Sequence, residues 1–383
     1  MPLRCRFFVP AIDLHRTEEI STSLTYRGPG SAQMNMYRSS ITILILSIVA
    51  ASCNTQKIEL PVKIGRMIPT AKLGPVGEDD FVSEVFTMDF FDDHLYIGDK
   101  GSCRIVATNE SLHVVNLFGK KGQGPGEFTY LEKIYIDEGR IHAFNGGLYR
   151  LEVFSLDGEI ENSVVFPSVM FTQAFFVKDS TLFVSTTRNE QAITAFSLDG
   201  SQKFGFGKLL DLPSQKESLA RSDRHLQPIT IKEEPYILAV FVSEPRMELY
   251  SMKGDLLSTM DLSDMEQFAS HTVFRDEQYQ KDSNNRRNTY ILFQDVVVRE
   301  DRVYLLYVDR ERMPRSIMVG TVDLKGFRLN EEIHAADDKM KKTRFFGTAF
   351  TLGNNGDIYI HDAVRNDVFR MKTIFSEDKP KTH

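Results

Sequence analysis

The sequence predicts an all-β fold, a six-bladed β-propeller closed by an N-terminal strand completing the last blade. Three observations predict it. Short apolar runs bounded by turn residues recur along the chain, as in His94 to Asp99 (HLYIGD). Asp-Gly or Lys-Gly pairs follow apolar strands at Asp157-Gly158, Asp199-Gly200, Lys253-Gly254 and Lys325-Gly326, and such pairs supply the positive φ that a tight hairpin needs. A turn acid or amide is also followed five residues later by a polar residue opening a strand: Asp99 and Arg104, Asn145 and Arg150, Asp362 and Asp367, with Asp309 to Arg315 a stretched version.

Composition bounds what such a chain does. Its 383 residues allow two average domains or one large all-β unit. With 42% hydrophobic and 26% charged residues, there is enough apolar material for a core and no signature of disorder. The 28 Phe and 13 Tyr suit strands that pack sheet on sheet. The formal charge is -7, and residues 1–52 hold five Arg against three acidic residues, so the remainder carries about -9. A chain that acidic, without a long Lys/Arg run, is poorly suited to phosphate backbones, and nucleic acid is not an expected partner.

At the N-terminus, Arg38 precedes the apolar run Ile41 to Ala50, which has the length of a signal-peptide core rather than of a comfortable bilayer span. Ala50, Ala51 and Ser52 then lead into Cys53. This resembles the lipobox of bacterial lipoproteins, with Ala50 where Leu is more usual. The resemblance implies cleavage before Cys53 and its diacylation, a stable membrane anchor because more than one acyl chain is attached. Asn54 follows the cysteine with no acidic cluster behind it, which favours the outer membrane, facing the periplasm. Residues 1–33 do not fit a signal's charged leader, whereas Met34 or Met36 would start a signal of ordinary length. The expected organisation is therefore 1–33 as a non-native upstream extension, 34–52 as a lipoprotein signal peptide, and 53–383 as a single propeller domain. Cys5 lies upstream and Cys53 is the lipid acceptor, so Cys103 alone remains in the body and no internal disulfide is expected.

The blades are placed at 81–118, 128–166, 171–207, 227–262, 288–334 and 345–375. The last lacks an evident fourth strand. The orphan run 57–64 (KIELPVKI) is expected to supply it and hide the edges of an open array. Two polar stretches, Lys208 to Leu226 and Ser263 to Asn288, fall between blades; Asp264 to Lys281 allows short helices, although its apolar spacing is thin.

The segment Phe118 to Phe154 carries Gly119, Gly122, Gly124-Pro125-Gly126-Glu127-Phe128, Asn145 and Arg150-Leu151-Glu152-Val153-Phe154. It resembles an NHL repeat. Behind a lipobox, the Gly-Pro-Gly-Glu-Phe run is similar to the six-bladed, TolB-like propeller lipoproteins of anaerobic gut bacteria. The resemblance is good for one blade, partial for the first and sixth, and weak for the fourth and fifth. It implies a secreted, anchored propeller without an assigned activity.

Enzymatic propellers of this kind gather His, or Glu, Asn and Asp, around a central channel to hold zinc or calcium. No such set is recognisable in sequence. His94, His113, His142, His225, His271, His334 and His361 are scattered without metal-ligand spacing, and no catalytic residue, metal or cofactor is assigned. Gly119-Lys120-Lys121-Gly122-Gln123-Gly124 lacks the helix that a phosphate loop requires. The paired acids Asp79-Asp80, Asp92-Asp93, Glu233-Glu234, Glu331-Glu332 and Asp337-Asp338 read as solvated turns, since neighbours on a strand point to opposite faces.

The inter-blade connections and middle turns share one face of a propeller. They carry Lys120, Lys121, Arg221, Arg224, Arg286, Arg287, Lys341, Lys342, Arg344, Arg104 and Arg150, a candidate rim for an anionic glycan or a partner's acidic patch. The expected function is a membrane-anchored envelope module that binds a protein partner or glycan without catalysis. The alternative is a metal-assisted hydrolase or lyase with its site in the channel.

Overall fold

The computed structural model describes residues 62–76, 81–167, 174–186, 191–212, 215–281, 290–308, 314–336 and 345–375. Residues 1–61, which contain the expected signal segment, Cys53 and most of the 57–64 run, lie outside them. The first strand is β1 (Lys63–Lys72). One four-stranded sheet follows, of β2 (Val85–Phe91), β3 (His94–Asp99), β4 (Arg104–Asn109) and β5 (Val114–Phe118). The short pair β6 (Lys120–Lys121) and β7 (Glu127–Phe128) leads to β8 (Leu131–Asp137), β9 (Arg140–Asn145), β10 (Arg150–Ser155) and β11 (Ile160–Val165). Next come β12 (Phe175–Lys178), β13 (Thr181–Ser185), β14 (Gln191–Ser197) and β15 (Gln202–Lys208). Helix α1 (Gln215–Arg221) precedes β16 (Arg224–Ile231), β17 (Glu234–Phe241), β18 (Arg246–Ser251) and β19 (Leu256–Asp261). Helix α2 (Glu266–Lys281) precedes β20 (Phe293–Arg299), β21 (Arg302–Val308), β22 (Pro314–Asp323) and β23 (Gly326–Ala335), and the chain closes with β24 (Gly347–Leu352), β25 (Ile358–Asp362) and β26 (Asp367–Phe375).

Four sheets are thus antiparallel meanders of four strands, β6 and β7 pair with each other, and the other eight strands form one sheet in the order β20-β21-β22-β23-β1-β26-β25-β24. Within it, β1 pairs antiparallel with β26 and parallel with β23. The expected N-terminal strand therefore exists, but it runs later than the 57–64 run. Its burial alternates only at Gly65 and Met67, and Pro69 sits at a register shift, so its sequence carries little strand signal. The first strands β2, β8, β12, β16, β20 and β24 contact one another in a closed cycle. The fold is all-β and propeller-like.

The repeated turn acids explain how each unit is anchored. Asp99 is fully buried and its Oδ1 accepts from Ser83 N–H at 3.1 Å and Ser83 hydroxyl at 2.8 Å, while Arg104 Nε donates to Oδ2 at 3.2 Å. Asn145 repeats this with the Thr129 hydroxyl at 2.9 Å, and Asp362 with Phe346 N–H at 3.2 Å. In each case the end of a second strand captures the segment that enters the same sheet's first strand. Gly158 takes φ +87° in the Asp-Gly turn, and a Cβ there would press on the Phe118 ring of the preceding sheet.

Helix α2 forms although its sequence is only weakly amphipathic. Phe268 packs edge-on against Phe293 and Tyr307, and Arg275 pairs with Glu244 at 2.6 Å, so tertiary contacts supply what periodicity lacks. Of the paired acids, Asp92-Asp93 occupy a turn, whereas Glu331-Glu332 lie inside β23, opposite Lys63 and Ile64 of β1; Asp79-Asp80 and Asp337-Asp338 are outside the described residues.

Candidate functional site

The ring of first strands encloses a cavity of about 240 Å³. Strand alternation sends every second residue inward. The lining includes Asp89, Glu132, Lys133, Tyr135, His225, Gln227, Asp295, Arg299 and Thr348, with Phe86, Phe90 and Phe350 between them.

Many of these polar side chains bridge neighbouring first strands. A ring of strand edges leaves main-chain groups without sheet partners, and buried main-chain groups need partners. Between β2 and β8, Asp89 Oδ2 accepts from Ile136 N–H at 2.8 Å, and Thr87 Oγ1 accepts from Ile134 N–H at 3.1 Å. Between β16 and β20, the His225 ring donates from Nε2 to Phe293 O at 3.0 Å and Gln227 donates to Val296 O at 2.8 Å. Between β20 and β24, Asp295 Oδ2 accepts from Phe350 N–H at 3.0 Å. At the end of β20, Arg299 donates to Leu352 O and Gly353 O at 2.9 and 2.8 Å. Between β24 and β2, Thr348 donates to Val85 O at 2.7 Å.

The low-dielectric surroundings perturb the charges. Burial pushes both Asp89 and Asp295 up to about 6, against the lowering effect of their main-chain hydrogen bonds and of Lys133. Burial likewise lowers Lys133, which both carboxylates counter, and raises Glu132 to about 7. Burial, then the charge of Lys133, takes His225 down to about 4, so its ring is neutral at pH 7. Lys100 sits beside this group, 4.6 and 4.4 Å from the Phe86 and Tyr130 ring centres and 3.2 Å from Glu84. The arrangement offers hydrogen-bond donors and acceptors of both charges in a confined space. Among the described residues, no three His, Cys, Asp or Glu side chains are grouped to hold a metal ion.

None of the described residues of the sequence-predicted rim lines this cavity. Arg104 binds Asp99, and Arg150 binds Glu152 and donates to the carbonyls of Gln123 and Gly124. The Gly-rich turn is consequently filled by the protein's own carboxylates, with Gly124 N–H on Glu127 and Gly126 N–H on Glu152. Arg221 pairs with Glu217 and Glu244. Arg224 is a correction: it belongs to β16 rather than to a connection and is fully buried, stacked 4.3 Å from the Phe241 ring and 3.4 Å from Glu248. Lys120 pairs with Glu127 and is exposed, as is Lys121. Arg286, Arg287, Lys341, Lys342 and Arg344, like the lipidation candidate Cys53, lie outside the described residues. Cys103 is buried and free.

Sequence reasoning missed the channel group. The available signal was a charged or amide residue inside the apolar first strand of successive units: Asp89, Lys133, Gln227 and Asp295.

No family model matches the chain, and no curated protein is significantly similar to it. Solved structures are similar in fold. A structural-genomics protein of unknown function from Bacteroides thetaiotaomicron superposes with a TM-score of 0.51 at 9% identity, covering 81% of this chain and 76% of that one. A DUF4221-family member from Bacteroides vulgatus gives 0.49 at 12% identity over 82% and 99% of the two chains. The WD40 β-propeller domain of Doa1 gives 0.43 at 10% identity over 82% and 98%.

Proposed function

We propose that this chain is a six-bladed, lipid-anchored propeller of the cell envelope that binds a protein partner or glycan at the mouth of its central channel. The blade count takes the eight-stranded sheet as two blades, β20–β23 and β24–β26 completed by β1, joined at their outer strands. The observation that carries the function is the confined, mixed-charge channel lining, because convergent polar groups in a concave site are what ligand recognition uses. The address rests on the SIVAASC pattern ending at Cys53. Among the described residues, no helix is long and apolar enough to cross a membrane.

Two experiments test this reading. A photo-crosslinker at Tyr130, which is exposed and contacts Lys100 beside the cavity-lining Phe86, placed in the full chain in its native envelope, captures a glycan or protein; a control at the exposed Leu256 on an outer strand does not. Equal capture from both positions would contradict channel-mouth binding. Cys53→Ser loses the acyl mass and moves the protein from the membrane to the soluble fraction. A variant that stays membrane-bound and acylated would overturn the anchor.

A further inference from the structure

We infer that the channel takes a neutral polyhydroxylated ring, such as the terminal sugar of a glycan, between the Lys133 ammonium and the carboxylates of Asp89 and Asp295. This rests on the channel being the binding site, and names what it selects.

Lys133 lines the cavity; among the described residues its ammonium has no hydrogen-bond partner, and Asp295 and Asp89 act on it through charge alone. Its three N–H donors are therefore available to a ligand. Asp89 uses its two oxygens on the N–H groups of Phe90 and Ile136, and Asp295 uses its two on Val296 and Phe350. A carboxylate offers about four acceptor sites, so each keeps capacity for a ligand. Among the described residues, the buried Glu132 Oε2 has no hydrogen-bond partner.

Charge of both signs then decides the ligand class. A free anion drawn to Lys133 meets two carboxylates, and a free cation drawn to those carboxylates meets Lys133 and Arg299. A hydroxyl group donates to one and accepts from the other, with no net charge to desolvate. The Phe86 and Tyr135 rings add flat apolar surfaces that suit the C–H faces of a sugar. The cavity volume lies below the range of about 300–1,000 Å³ usual for drug-sized ligands, which suits one ring rather than a chain.

The test titrates the full chain calorimetrically with lactose, maltose and cellobiose, with digalacturonic acid as the anionic comparator and the glucosamine dimer as the cationic one. At least one neutral disaccharide binds more tightly than both charged ones. Lys133→Gln weakens that binding at least tenfold with an unchanged melting temperature, whereas Arg140→Ala, outside the channel, leaves it intact. Tighter binding of a charged dimer, neutral binding unaffected by Lys133→Gln, or no binding by any probe overturns the assignment. Crosslinking from Tyr130 to a protein in that event leaves the channel reading standing, and absence of crosslinks as well removes both.

Discussion

Two arcs of the channel wall solve the same problem with opposite chemistry. From β16 through β20, β24 and β2 to β8, neighbouring first strands are joined by side chains reaching main-chain groups: His225, Gln227, Asp295, Thr348, Thr87 and Asp89. From β8 to β12 the join is aromatic. Tyr135 meets Phe175 and Phe176 edge-on at 6.4 and 6.3 Å, and Phe176 stacks on Phe183 at 4.9 Å. Ring closure is thus achieved by hydrogen bonds on one arc and by packing on the other, and the bridging carboxylates that face the cavity, Asp89 and Asp295, lie on the first.

The largest expected effect is on the aromatic arc. Phe176 is fully buried, and Phe176→Ala should cost about 3–5 kcal/mol in denaturant unfolding. A cost below 1 kcal/mol would mean that this arc does not hold the ring. On the polar arc, Asp295→Ala strips acceptors from the N–H groups of Val296 and Phe350, at about 1–3 kcal/mol for each group left without a partner. Asp295→Asn retains one acceptor oxygen and should lose less; equal losses would contradict the bridging role.

A pH series resolves two opposing contributions within the polar arc. Asp89 and Asp295 are raised from 3.8 to about 6, so the stability they contribute is complete below about pH 4 and lost as pH rises through 6. His225 is lowered from 6.5 to about 4, so its contribution is complete above about pH 6.5 and lost as pH falls through 4. The slopes oppose each other. In Asp89→Asn/Asp295→Asn the first is removed, and the variant's stability relative to the native protein should improve from pH 4 to 7. A constant difference would show that neither carboxylate is perturbed. The smallest effect belongs to the surface: Arg140 and Glu161 pair at 2.7 Å while both remain exposed, and Arg140→Ala should change stability by less than about 1 kcal/mol.

The sheet units and their turn anchors were legible because both are local. Asp99 with Arg104 and Asn145 with Arg150 recur at fixed spacing, and Gly158 marks its turn by composition alone. The channel was not legible from any single strand. Asp89 in TMDF and Lys133 in LEKIYI look like ordinary polar positions until ring closure determines which alternate face is interior. Arg224 was misplaced for a related reason. Its strand starts three residues before 227, where the blade is placed from sequence, and its partners, Lys208 O at 2.5 Å and Glu248, are distant in sequence.

The most direct test of the convergent channel is a carboxyl NMR titration of Asp89 and Asp295 in the native protein and in Lys133→Met. If all three side chains share one cavity, both carboxylates titrate near pH 6 and rise further when the Lys133 charge is removed. Titration of both near pH 4, unmoved by the substitution, would mean that they do not face a common site.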